Sequence, residues 1–439
     1  MRLWHWFTGL SLVHGPVHAA LLLGTSLGLG VLLATRHGRR WWTRRVPVAV
    51  AVAVAAVAGG WLLVEVTRPW PDGLPGGVMV WVGAGVLALA LLPLAWRRQR
   101  WWVRAVAVVA AATVVLGAAD GVDAVYGSFP TVATALQLPP YDQVPASQVL
   151  TAGAPSSPAA AAPAPLWRTW RAPADLPSHG AVTQVNIPGT RSGFAARPAW
   201  LYVPPAYLTP DPPPLPVLVL IGGQPGTSRD WLDGGRLAQR MDEWAAAHGG
   251  LAPIVVMPDA LGAETANPMC MDSALGRVDT YLSQDVPAWV TGTLRVDPDR
   301  AHWAAGGFSY GGTCALQLAV AHPDLFPSFF DVSGQQEPTL GDRQRTIAAA
   351  FHGDEAAFDA VSPLSQLAAR RYPGSAAFLV VGSGDPGYRG QQQAVAAAAR
   401  AAGMSVTATE LSGGHDWRVW GPAFIAALPW LASRMGLAP

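Results

Sequence analysis

The sequence predicts two parts of different class. An α-helical region of four membrane-spanning helices comes first, followed by an α/β domain whose mostly parallel sheet is covered by helices on both faces. Three observations predict this. The 439 residues are 51% hydrophobic and only 13% charged, too apolar for an ordinary water-soluble chain. The excess gathers in four runs, at about 9–35, 46–66, 74–96 and 105–126. Each is about 20 residues or longer, enough to cross a hydrocarbon core as a helix. From about Leu166 onward, short apolar runs alternate with amphipathic stretches, the signature of a sheet buried on both faces. The expected division is 1–128 for the membrane region, 129–165 for a linker and 166–439 for the second domain.

In the membrane region, VPVAVAVAVAAVAGG alternates Val with Ala, both apolar, so alternation carries no strand signal and length favours a helix. The loops set orientation. RHGRRWWTRR (36–45) carries five Arg and WRRQRWWVR (96–104) carries four, whereas TRPWPDGLPGG between the second and third spans carries Arg68 alone. The positive-inside rule puts the two Arg-rich loops in the cytoplasm, and the N-terminus and everything after the fourth span outside. Trp41, Trp42, Trp101 and Trp102 flank the arginines as interfacial anchors. RWWTRRVPVAVAVA and RWWVRAVAVVAA repeat with a shift of 60, as two similar hairpins would. Glu65, Asp120 and Asp123 lie near the outer ends and no charge sits at mid-span, so the spans read as an anchor rather than a transport path. His14 and His18, four apart without a third ligand, read as helix-packing residues rather than a metal site. The linker includes PASQVLTAGAPSSPAAAAPAP, which has no amphipathic period and reads as an extended tether.

In the second domain, AVTQVNI and AWLYVPP open as a pair of strands. The strands PLPVLVLIGG, APIVVMPDA, AHWAAGGFS, FPSFFDVSG, AAFLVVGSGD and SVTATELSG follow. Between and after them lie the helical stretches SRDWLDGGRLAQRMDEWAAAHG, TYLSQDVPAWVTGTL, YGGTCALQLAVAHPD, RGQQQAVAAAARAAG and GPAFIAALPWLASRMG.

Composition excludes several chemistries. The net charge is +1, so no nucleic-acid partner is implied. All 29 basic residues are Arg, which rules out a Walker-type phosphate loop, a Schiff-base lysine and a Ser–Lys dyad. Two cysteines, Cys270 and Cys314, are too few for a zinc cage, and no metal or cofactor is called for. Outside the cytoplasm the two thiols are expected to form a disulfide, the alternative being two buried free thiols.

G-x-S-x-G occurs twice. GTSLG (24–28) sits inside an apolar span with no strand before it, where small residues serve close packing. GGFSYGG (306–312) has the required context, a strand before Ser309 and a helix after it. Gly307 and Gly311 let strand and helix approach at that elbow. In such sheets the loops at the carboxyl ends of strands build the site. Asp385 follows one strand and His415, in LSGGHDWRVW, follows the last. The order Ser, Asp, His suits a nucleophile, an acid that orients the imidazole, and a general base. Asp354 and Asp359 are rival acids but lie in the helical stretch FHGDEAAFDAV. The oxyanion hole is expected from the backbone N–H of Tyr310 and that of Gln224 in IGGQPG, with Gly223 the rival in that turn. Trp417 and Trp420 suit an acyl pocket or plain packing equally, and Asp272 and Ser273 have no assigned role.

Residues 180–430 resemble the putative-esterase group of α/β-hydrolases, which includes esterase D, feruloyl esterases and mycolyltransferases. The resemblance is carried by the strand pair ending YVPPAY, by IGGQPG, DTYLSQDVPAWV, GGFSYGG and GGHDWRVW; the stretch around TYLSQDVPAW is the most group-specific. It implies an α/β-hydrolase fold, with the group's catalytic serine at Ser309, its histidine at His415 and its acid at Asp385. Mycolyltransferases differ in having a serine where Gly311 stands and Glu as the acid. The expected activity is a membrane-anchored serine esterase acting on an ester that is lipid-linked or part of the cell envelope, with membrane lipids as surroundings. The alternatives are acyl transfer to a sugar or glycerol hydroxyl, and a non-catalytic scaffold or transporter.

Overall fold

The structure is a computed structural model that describes residues 6–35, 38–96, 99–152 and 164–439. Of the Arg-rich loops, Arg36, Arg97 and Arg98 lie outside the described residues, as does 153–163 of the expected linker. The chain divides into two compact units, Met1–Leu138 and Pro139–Pro439.

In the first unit, α1 (Gly15–Ala34), α2 (Val46–Thr67), α3 (Gly76–Trp96) and α4 (Trp101–Tyr126) are each long and apolar enough to cross a membrane. A π-type turn, Trp41–Arg45, leads into α2. The first helix begins later than the apolar run suggests, at Gly15 with Pro16 in its first turn. The residues before it pair instead with the chain after α4: Leu12 N–H donates to the Pro130 carbonyl at 3.1 Å and Val132 N–H to that of Leu10 at 3.0 Å. The two ends of the four-helix run thus lie together. Glycines allow α1 and α4 to meet closely; a Cβ on Gly28 would lie 2.8 Å from the Ala110 carbonyl oxygen. His18 Nδ1 meets Asp120 Oδ2 at 2.7 Å across the same pair. Ser26 Oγ donates to the Leu22 carbonyl at 3.1 Å, a bond within α1, so GTSLG is ordinary helix.

The second unit holds an eight-stranded sheet. Its strands are β1 (Ala181–Val185), β2 (Ala199–Val203), β3 (Val217–Ile221), β4 (Ile254–Met257), β5 (Ala304–Phe308), β6 (Ser328–Val332), β7 (Ala376–Gly382) and β8 (Ser405–Leu411). Their order is β1-β2-β4-β3-β5-β6-β7-β8, with β2 antiparallel to both neighbours and every other pairing parallel. Every residue of β2 to β7 is buried, which is why these strands read as continuous apolar runs; β8, at the edge, is largely exposed. The principal helices are α5 (Leu237–Ala247), α6 (Val286–Thr293), α7 (Tyr310–Ala321), α8 (Pro386–Ala401) and α9 (Trp417–Arg434).

Three expectations need correction. The helix anticipated over 228–249 is broken after Asp233, because Trp417 packs where side chains on Gly234 and Gly235 would be; a Cβ on Gly234 would lie 2.4 Å from its indole. The last helix starts at Trp417 rather than Gly421, with Asp416 accepting from Arg418 N–H at 2.8 Å as its cap. The stretch 129–165, expected as an extended tether, is structured as far as 152. Residues Val132–Ala135 form a helical turn in the first unit. Val144 N–H donates to Val182 O and Val182 N–H to Asp142 O, both at 2.9 Å, and Val149 of the helix Ala146–Ala152 is fully buried. Tyr141, Val144, Val149 and Leu150 provide the apolar anchors that the Pro/Ala composition conceals.

Candidate active site

Ser309 is the single residue between β5 and α7. Its φ of 53° and ψ of −121° put it in a strained conformation for a residue with a Cβ, the sharp strand-to-helix turn expected of a nucleophile elbow. The surroundings over-determine it. Ser309 N–H donates to the Val332 carbonyl at 2.9 Å. A Cβ on Gly307 would lie 2.2 Å from the Gly311 carbonyl, and one on Gly311 would lie 2.1 Å from that of Ile221. No side chain fits at either position, so the two glycines are a condition of the turn.

His415 Nε2 lies 2.9 Å from Ser309 Oγ, and its Nδ1 lies 2.8 Å from Asp385 Oδ2. A carboxylate only accepts, so Nδ1 carries the ring proton and Nε2 is left to accept from the serine hydroxyl. Asp385 occupies the cap position of α8, yet its side chain makes no cap bond and is directed to the imidazole instead. The two loops are joined by backbone: Gly384 N–H donates to the Gly413 carbonyl at 2.8 Å and Ser383 N–H to that of Leu411 at 2.7 Å. Gly413, at φ +140°, makes the bend. The rival acids sit elsewhere. Asp354 caps the helix Glu355–Val361, and Asp359 pairs with Arg343.

The turn after β3 lies against the elbow. Ile221 is paired with Gly307 in the sheet, and a Cβ on Gly223 would lie 2.5 Å from the Phe308 ring. Three bonds hold this turn. Gln224 Nε2 donates to Thr265 O at 3.1 Å, Gly226 N–H to Glu264 O at 3.0 Å, and Arg197 Nη2 to Gly226 O at 3.0 Å. Arg197 also engages the buried Asp259 with its backbone N–H and its guanidinium, each at 2.7 Å. Burial alone would raise the Asp259 carboxyl, but the Arg197 contacts and the Leu261 N–H outweigh it and hold the group below the usual carboxylate range.

Cys270 and Cys314 form a disulfide, with Cα atoms 5.4 Å apart, that fastens the loop after β4 to the nucleophile helix α7. Beside it, the Tyr310 hydroxyl donates to the Ala260 carbonyl and accepts from Cys270 N–H, both at 3.1 Å. Burial raises that phenol far above its ordinary range, so it remains a donor. The group-specific stretch has a structural part: buried Asp285 accepts from Thr190 Oγ1, Arg191 N–H and Ser192 N–H at 3.0, 2.8 and 3.0 Å. Asp272 accepts from Thr280 N–H and Oγ1, and Ser273 Oγ from Leu275 N–H, so both serve the local fold. Trp417 packs among Trp231, Phe308 and Trp420, which is core packing, while Trp420 also reaches the His415 ring. Arg197 and Asp259 escaped the sequence reading because their bond spans 62 residues and no local pattern marks it.

Residues 196–431, more than half the chain, match the family described as "Putative esterase". The chain belongs to this family. The chain is 35% identical over 420 residues to an uncharacterized protein of Corynebacterium glutamicum, covering 93% of each chain, so the likeness extends into the helical first unit. A segment of 57 residues, 13% of this chain and 16% of the other, is 54% identical to the "Putative esterase NocK" of Nocardia uniformis subsp. tsuyamanensis. Among solved structures, a ferulic acid esterase shares the fold with a TM-score of 0.51 at 20% identity, covering 60% of this chain and all of that one. The fold is that of an α/β-hydrolase, and the enzyme is a serine hydrolase or acyltransferase.

Proposed function

We propose that this enzyme is a membrane-anchored serine esterase in which Ser309 carries the acyl group, His415 is the general base and Asp385 orients it. The observation that carries the reading is the continuous row from Ser309 Oγ through both nitrogens of His415 to Asp385. Ser309 Oγ attacks the ester carbonyl carbon while its proton passes to His415 Nε2. The oxyanion sits against the backbone N–H groups of Tyr310 and Gln224, with Gly223 the neighbouring donor in that turn. As the tetrahedral species collapses, the ester C–O bond breaks and the leaving oxygen takes the proton from His415. Water, deprotonated by the same nitrogen, then attacks the acyl-enzyme; its oxygen joins the acyl carbon, the bond from that carbon to Ser309 Oγ breaks, and Oγ takes back the proton held on His415. An alcohol in place of that water gives acyl transfer through the same steps.

The substrate is an ester carried on a lipid or on the cell envelope, outside the cytoplasmic membrane. Three observations support this placement. The catalytic unit is continuous with four apolar helices. The Arg-rich loops on the opposite side of the spans belong in the cytoplasm. The Cys270–Cys314 disulfide suits an oxidising compartment.

The test is intact-mass measurement of the full chain after incubation with a membrane lipid extract, beside fluorophosphonate labelling of wild type and Ser309→Ala. The added mass on Ser309 identifies the acyl group. Loss of label in the variant is expected; a wild type that takes no label would leave a non-catalytic scaffold. Product analysis with glycerol present separates free acid from acylated alcohol.

A further inference from the structure

We propose that Tyr388 is a positioning residue for the general base and acts through the face of its ring. The inference rests on the assignment of His415 as that base. The two hydrogen bonds of His415 use both ring nitrogens and leave the faces of the imidazole to be held by something else. Tyr388 lies on one: the ring centroids are 4.1 Å apart and the planes 28° apart. Trp420 meets the same imidazole at 5.0 Å and 89°. Both aromatic residues are buried.

Their supports come from the elements that deliver the triad. Tyr388 is in the first turn of α8, and its N–H donates to the carbonyl of Asp385 at 3.2 Å. One helical turn therefore sets both the acid against Nδ1 and the ring against the face. Trp420 is in the first turn of α9, just after His415, and its ring stacks on Phe308 at 4.4 Å. The charged neighbours in sequence are engaged elsewhere: Arg389 with Glu410 at 3.0 Å and Asp416 with Arg418 at 2.6 Å.

The imidazole is neutral while substrate waits and becomes imidazolium as the Ser309 proton arrives. An aromatic face holds the neutral ring by stacking and attracts the cation more strongly. The contact therefore strengthens as the barrier is climbed, and an interaction of that kind changes the rate of the chemical step rather than binding. The stack also blocks rotation of the imidazole out of the plane shared with Ser309 Oγ and Asp385.

The experiment uses the full chain in detergent and measures fluorophosphonate inactivation, resolved into the maximal rate and the half-saturating concentration. Tyr388→Phe, which keeps the face, should hold the maximal rate within about twofold, whereas Tyr388→Leu should lower it about 10-fold with half-saturation unchanged. Tyr388→Met refills the space without a π face and should behave like Leu, which covers the case of a Leu variant that does not fold. A wild-type rate in the Met or Leu variant overturns the proposal. So does an equal loss in Tyr388→Phe, or a loss confined to half-saturation. A wild type that takes no label at Ser309 is a different failure: it removes the triad assignment, and this proposal with it.

Discussion

Asp331 is a fully buried acid in β6 that the acyl-transfer chemistry leaves unused. Its carboxyl accepts from Gly334 N–H at 2.9 Å and from Gln392 Nε2 at 2.8 Å, while Oε1 of the same Gln392 is buried without a hydrogen-bond partner. Burial outweighs those two bonds and pushes the carboxyl up to about 7. A folded-state value above the unfolded one means that the folded protein holds the proton more tightly. The associated stability is complete below about pH 4 and is lost as pH rises through about 7. Asp331→Asn removes the ionisation, and the Gln392 amide can turn Oε1 towards the new N–H. The variant should therefore melt higher than wild type at pH 8, with the gap closing below about pH 5; thermal melts across that range check it, and a constant gap would remove Asp331 as the cause. Gly311 makes a second residue-scale case. Mycolyltransferases carry a serine at this place in the motif, but here a Cβ would come within 2.1 Å of the Ile221 carbonyl. Gly311→Ser should cost about 1–3 kcal/mol in stability and reduce Ser309 labelling, because the strand and the helix must separate at the elbow.

At the scale of elements, α7 carries the nucleophile at one end and is tied down along its length. The disulfide at Cys314 closes a loop from Cys270, 44 residues away. By the loop-entropy argument it contributes roughly 4 kcal/mol, so Cys270→Ser with Cys314→Ser should lower the denaturation midpoint of the catalytic unit by about that equivalent. An unchanged midpoint would mean that packing alone holds the loop. At the other end of α7, His322 Nε2 meets Asp279 Oδ1 at 2.8 Å, and this bond raises the histidine above its ordinary value. Its contribution is complete below about pH 6.5 and disappears as pH rises through the raised value. His322→Gln should thus flatten the decline in melting temperature above neutrality while leaving labelling of Ser309 intact. How far such elements were legible depended on where the information lay. Strands β2 to β7 were legible because burial on both faces makes each a short apolar run, whereas β1 and β8 at the edges were marked by their β-branched residues. That Ser309, Asp385 and His415 would come together was legible because each follows a strand, in glycine-marked turns. The break at Gly234 and the Tyr388 stack were not, since each is decided by an aromatic ring from a distant part of the chain; the early start of α9 rests on the local Asp416 cap, which the expected start at Gly421 overlooked.

For the whole molecule, the four helices long and apolar enough to cross a membrane were readable from length and apolarity, and the error lay in the connection. Composition made 129–165 a tether, yet a few apolar side chains between Tyr141 and Leu150 bind that part of the stretch to the sheet edge. The chain after α4 and the chain before α1 meet through Leu10–Leu12 and Pro130–Val132, so they share one side of the four helices. The positive-inside rule gives the expected side. Arg39, Arg40, Arg44 and Arg45 precede α2, and Arg100 and Arg104 lie at the start of α4, whereas the turn between α2 and α3 holds only Arg68. A centred Arg costs about 2.5–3.5 kcal/mol in insertion, so moving either loop across the bilayer is strongly opposed. Alkaline phosphatase fused after residue 439 should therefore be active in the bacterial envelope. Fused within 38–40 or at 99–100 it should be inactive, and at 70–74 active again. The opposite pattern would place the catalytic unit in the cytoplasm. The Cys270–Cys314 bond would then face a reducing medium, and an envelope ester would be out of reach of Ser309.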